Sequence, residues 1–114
     1  MDLKGLLAEA AEDNVGLWEL AADARGALPE GTGQDVLAMV LDILTPLLLG
    51  GLVEVGEYSG PGSRFEAWDL SPQAALDSVE RFWKGLGREP RLGDNVYFVA
   101  TALGRRWLTL LAER

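Results

Sequence analysis

The chain contains no cysteine and no histidine in its 114 residues. Without cysteine there are no disulfides, thiol nucleophiles or thiolate metal ligands. Without histidine the usual general base and the commonest metal ligand are gone. A metal would have to be held by carboxylates alone, and no D-x-[DN]-x-[DN]-G loop is present. A serine or threonine nucleophile would need a lysine or carboxylate base, and no G-x-S-x-G supplies the setting. The glycines at 50, 51, 56, 60 and 62 match neither G-x-G-x-x-G nor a P-loop. Glu89 and Asp94 flank a loop and are the one carboxylate pair with an acid–base reading, against the ordinary reading of solvated loop charges. These absences predict a protein that is not an enzyme, with no catalytic residue, no cofactor and no metal.

Long apolar runs are also lacking. The longest stretch without a charge, Ile43 to Val53, is interrupted by a proline and two glycines and is far too short to span a bilayer. The start, "MDLKGLLAEAAEDN", lacks the basic-then-apolar layout of a signal peptide, so a cytoplasmic protein without membrane contact is expected. Basic residues are scarce in one half. Residues 1–63 hold eleven acids against two bases, Lys4 and Arg25, whereas residues 64–114 hold seven acids against eight bases. The net charge is −8. The bland reading is a solubilising surface; the sharper one is an acidic face matched to a basic partner.

What is present reads as one domain of ordinary globular composition, 48% hydrophobic and 25% charged. Leu3, Leu6, Leu7 and Ala10 at helical spacing predict a helix over 2–12. A second helix is predicted over 15–28, capped by Asp13 or Asn14. Thr32 with Asp35 resembles a capping box and opens an almost wholly apolar helix over 34–49. Pro46 should kink that helix or restart it with Thr45 as cap, and Gly50-Gly51 should end it. "LVEVGEY" (52–58) and "RFEAWDL" (64–70) flank "SGPGS" and predict a hairpin. Ser71-Pro72 opens a helix that Gly87 stops. "NVYFVAT" (95–101) predicts a third strand. A closing helix follows, with Leu103, Trp107, Leu110 and Leu111 turned inward. Trp18, Trp68, Trp83 and Trp107 are all expected in the core, Trp68 least firmly. Helices in blocks with one hairpin argue α+β rather than a parallel sheet.

The segments "LLLGGLVEVGEYSGPGSRFEAW" and "VYFVATALGRRWLTLL" resemble winged-helix regulators, in which a leucine-rich helix ends in a Gly-Leu-Val-Glu corner, enters a two-stranded wing and is followed by a Thr-x-x-Gly-Arg-x-x-Leu helix. The likeness covers roughly residues 34–70 and 95–111. It implies a winged-helix-like domain over 1–114 with an extra helix, 72–86, inserted after the wing. A weaker likeness, through Trp83, Pro90, "LGD" and "VYF", is to short uncharacterised bacterial immunity-type proteins. The winged-helix likeness puts helix 34–49 in the recognition position, yet that helix has no lysine or arginine and carries Asp35 and Asp42.

The chemistry therefore points away from DNA. The expected function is a small acidic protein–protein interaction module, immunity-like or inhibitory, facing a basic partner through Glu54, Glu57, Glu66 and Trp68. The alternative is a DNA-binding regulator using Arg64, Arg88, Arg91, Arg105 and Arg106, the last two on a helix where winged-helix proteins often dimerise. Arg81 and Lys84 would extend that basic patch. The apolar helix 34–49 is either a central core helix or one that completes its burial in a homodimer.

Overall fold

Short polar residues ahead of apolar stripes set most of the helix starts. The computed structural model describes residues 2–59 and 63–113. In chain order these form α1 (Leu3–Glu12), β1 (Val15–Gly16), α2 (Leu17–Ala27), α3 (Gly33–Leu49), β2 (Val53–Ser59), β3 (Arg64–Ala67), α4 (Pro72–Leu86), β4 (Tyr97–Ala100) and α5 (Ala102–Ala112). The protein is α+β, with five helices and one four-stranded antiparallel sheet among the described residues. The "GPG" of the expected hairpin turn, residues 60–62, lies outside them.

The Asp2 carboxylate accepts from the Gly5 N–H and starts α1. Thr32 and Asp35 close the capping box of α3 in both directions, at 3.1 and 3.0 Å. Ser71 caps α4 with Pro72 in its first turn. Gly51 at φ +70° and Gly87 at φ +67° follow α3 and α4 in the left-handed region.

Four expectations need correction. Residues 15 and 16 form a strand, not the start of a helix, so α2 begins at Leu17 and its cap is Gly16 rather than Asp13 or Asn14. The Glu19 carboxylate accepts from the Gly16 N–H at 2.6 Å. Helix α3 is not restarted at Pro46 but continues through it, and the Thr45 hydroxyl donates to the Leu41 carbonyl at 2.6 Å instead of capping a new helix. The strands 64–70 and 95–101 are shorter than expected. Asp69 turns to φ +56° just beyond β3, and β4 covers only 97–100. In α5, Leu103 and Trp107 are 46% exposed and Leu110 48%. That helix turns Gly104, not Leu103, to the core.

The sheet order is β1-β4-β2-β3. Val15 lies opposite Phe98, Phe98 opposite Val55, and Val53 opposite Ala100. All five are buried on the helix-covered face. Helix α3 contributes Val36, Val40, Leu44 and Leu47 to this core, α1 adds Leu6 and Leu7, and α4 adds Val79 and Trp83. Burying side chains of this size contributes about 1.5–3 kcal/mol each. No helix is long and apolar enough to cross a membrane among the described residues.

The α5 helix is seated by close approach. Thr101 N–H donates to the Leu52 carbonyl at 3.0 Å, and its hydroxyl donates to the Gly51 carbonyl at 2.6 Å. The same hydroxyl oxygen accepts from the Gly104 N–H at 3.0 Å. A Cβ on Gly104 would stand 2.1 Å from the Leu52 carbonyl oxygen. Gly104→Ala must push α5 off the sheet, and about 1–3 kcal/mol of stability is expected to be lost. Denaturant unfolding measures it; an unchanged midpoint would contradict this seating.

Candidate functional site on the open face of the sheet

The register that buries one face of the sheet leaves the other bare. Gly16 is opposite Tyr97, Tyr97 opposite Gly56, and Gly56 opposite Ala67. One row along, Tyr58 is opposite Phe65, and Glu54 is opposite Val99. Apart from the glycines Gly16 and Gly56, no residue in these rows is buried. Directly opposed residues share a face, so these rows form one surface.

Aromatic rings collect there. Tyr58 meets Tyr97 edge-on, with centroids 5.1 Å apart at 82°, and meets Phe65 at 5.6 Å and 66°. Trp18, in the first turn of α2, folds back over Gly16. A Cβ at Gly16 would lie 2.5 Å from the indole Nε1 and 3.2 Å from Tyr97 Cε1. Only a residue without a side chain lets Trp18 and Tyr97 close over that point. Asn95 fixes the far side: its amide donates to the Tyr58 carbonyl at 2.6 Å and accepts from the Tyr58 N–H at 2.9 Å. Asn14 donates to the Tyr58 hydroxyl at 3.1 Å. Together these groups bound a cleft of about 650 Å³ walled by Trp18, Tyr58 and Tyr97. Asp13 and Glu19 also line it, and no described lysine or arginine does.

The residues picked out as partner-binding are divided by the sheet. Glu54 is exposed on the open face. Glu57, half-buried, and Glu66, exposed, stand opposite one another on the other face. Trp68 is half-buried, and its indole N–H donates to Glu57 at 3.2 Å. Of the other tryptophans, Trp83 is in the core, Trp18 is half-buried in the cleft and Trp107 is exposed. The uniform core expectation therefore holds for Trp83 and not for Trp107. The exposed edge of α5 adjoins a smaller apolar groove of about 240 Å³ lined by Leu3, Pro46, Leu52, Trp107 and Leu111.

The basic residues are largely engaged. Arg88 grips Asp94 with both guanidinium nitrogens, at 2.7 and 3.0 Å. Lys84 pairs with Glu80, and Arg81 donates to Ser78. Arg105 donates to the Ala11 carbonyl at 2.6 Å. Arg64, Arg91 and Arg106 are exposed, on β3, on the loop after α4 and on α5.

Glu89 and Asp94 do not pair with each other. Arg25 donates to both Glu89 oxygens and to the carbonyls of Leu28 and Gly31, tying the loop after α4 to the end of α2. Hydrogen bonds from Arg25 hold the Glu89 carboxyl below its ordinary range. Asp94 is held at about 2, first by Arg88 and then by the Arg91 N–H. Both are anchors for the loop that leads into β4. Because the folded pKa of Asp94 lies below the ordinary 3.8, its contribution is complete above about pH 4 and is lost as the pH falls toward 2. Asp94→Asn is expected to cost about 1–3 kcal/mol at pH 7. Urea unfolding should show that deficit shrinking between pH 4 and pH 2; a deficit independent of pH would exclude the ionised anchor.

No local signal brings residues 13–19, 58 and 92–97 together; the nearest is Gly16 two positions before Trp18 in "VGLW". No protein-family model, curated protein or solved structure matches the chain.

Proposed function

We propose that the chain is a non-enzymatic interaction module, immunity-like or inhibitory, that receives a basic protein partner on its sheet. The frame is winged-helix-like, with α3 before the hairpin β2–β3 and α4 inserted before β4. The observation that carries the reading is the hairpin itself. Glu57 and Glu66 are directly opposed like charges, and neither belongs to an ion pair among the described residues. Like charges in that position destabilise a sheet. A basic partner would turn this local cost into affinity.

The test uses Glu66→Gln and an octa-arginine peptide. The variant should gain about 0.2–1 kcal/mol of stability by losing the repulsion. It should also bind the peptide more weakly, and binding by the natural chain should fall as salt rises. Peptide binding that ignores both changes would sink the reading. Retardation of duplex DNA at low salt, abolished by charge reversal at Arg64, would instead favour the regulator alternative. Its support is the order of helix and hairpin; against it stand the absence of bases on α3 and the acidic hairpin.

The apolar edge of α5 we assign to a second copy of the chain. Leu103, Trp107 and Leu110 fall at i, i+4 and i+7 on one helix, a stripe that can pack on itself about a two-fold axis. Arg106 and Glu113 flank the stripe on one side, two turns apart, so an antiparallel copy would place opposite charges together. Light scattering should give a two-chain mass for the natural protein and a one-chain mass for Trp107→Glu with unchanged circular dichroism. A one-chain mass for both would remove the dimer.

A further inference from the structure

The cleft over Gly16 is a different place from the acidic hairpin, and its chemistry is more selective. We infer that the cleft walled by Trp18, Tyr58 and Tyr97 and edged by Asp13 and Glu19 is a receptor for an arginine side chain of the basic partner. The inference rests on the reading of the chain as acceptor of such a partner and adds the group that is recognised.

Three features choose the ligand. Ring faces attract cations through their quadrupole, most strongly for tryptophan. Here an indole and two phenols share one cleft with two carboxylates and no described basic side chain, so an anion or a phosphate backbone is repelled and a cation drawn in. The carboxylates then discriminate among cations. Glu19 commits one oxygen to the Gly16 N–H and leaves the other as an acceptor, and Asp13 spends only one oxygen, on neighbouring Asn14. Such acceptors are wasted on a quaternary ammonium, which has no N–H to donate. A guanidinium is planar, stacks on a ring face and carries five donors in a fork, so it can lie on Trp18 while bonding to a carboxylate. An ammonium offers the charge without the stacking plane.

The site is preorganised by contacts already described. Asn95 locks the Tyr58 backbone, Asn14 holds its hydroxyl, and the absence of a side chain at Gly16 lets Trp18 settle beside Tyr97. Trp18 is already seated over Gly16, and Tyr97 is held edge-on by Tyr58.

The experiment titrates the full chain, isotopically labelled, with Nα-acetyl-arginine methylamide and follows amide and indole resonances. Saturable shifts confined to residues 13–19, 58 and 92–97 are expected. The citrulline counterpart, equal in shape but uncharged, should bind roughly tenfold or more weakly. Asp13→Asn combined with Glu19→Gln, which keeps an acceptor for the Gly16 N–H, should weaken the arginine probe by a similar factor while leaving the fold intact. Trp18→Phe should weaken it too, by less. No saturable shift, equal binding of the citrulline probe, or shifts centred on Glu57 and Glu66 would overturn the assignment. The acidic hairpin is tested separately: octa-arginine that still binds and still depends on Glu66 while the single-residue probe fails would leave the interaction module standing without this cleft.

Discussion

Thr101 sits at the joint on which the sheet depends. Its backbone N–H and hydroxyl bind the carbonyls of Leu52 and Gly51, and its hydroxyl oxygen caps α5 through Gly104. One residue thus ties the end of β4 and the start of α5 to the corner where α3 becomes β2. Those segments are about fifty positions apart in the chain, so the contact closes a long loop. With the joint closed, β4 lies antiparallel beside β2 in a single register. The Val53–Ala100 and Val55–Phe98 pairs then carry the core, and the Gly56–Tyr97 pair falls on the other face. A slip of one residue would exchange the two faces.

From that register the candidate site follows. Strand β4 is paired on both sides, by β1 and β2, which places Tyr97 between two glycines. The glycines leave room on either side of the ring, and Trp18 and Tyr58 lean into it. The loop feeding β4 must deliver Asn95 to Tyr58, and it is pinned twice on the way, at Glu89 by Arg25 and at Asp94 by Arg88. The two carboxylates that invited an acid–base reading are therefore the reason the cleft has a fixed wall.

Much of the architecture was legible in the sequence because it was written in local signals. The capping pairs Thr32–Asp35 and Ser71–Pro72, the glycines that follow α3 and α4, and the apolar spacing of α1, α3 and α4 act within a few residues of themselves. What was not legible depended on distant partners. Val15 and Gly16 are too few to show an alternation, and they are a strand only because Phe98 and Tyr97 arrive beside them. The stripe on α5 is apolar in the sequence, but periodicity does not say which surface meets it. Gly104 against the Leu52 carbonyl rotates the helix and leaves Trp107 at the edge. The cleft was hidden for the same reason: its walls come from three separated segments. The acidic candidates share only their residue type, and the strand pleat sets Glu54 on one face and Glu57 with Glu66 on the other.

The distribution of engaged and free charges carries the functional argument furthest. Arg25, Lys84, Arg88 and Arg105 are bonded within the fold, to carboxylates or to backbone carbonyls. The acids at Asp13, Glu54, Glu57 and Glu66 have no such cation among the described residues. Here two glutamates face each other across a strand pair, and two more carboxylates border a wall of aromatic rings. A sequence whose local choices otherwise agree with its fold, from caps to core, departs from that agreement at these two places. Both departures have the same sign, and under the proposed reading both would be relieved by the same kind of ligand, a cation brought from outside the chain.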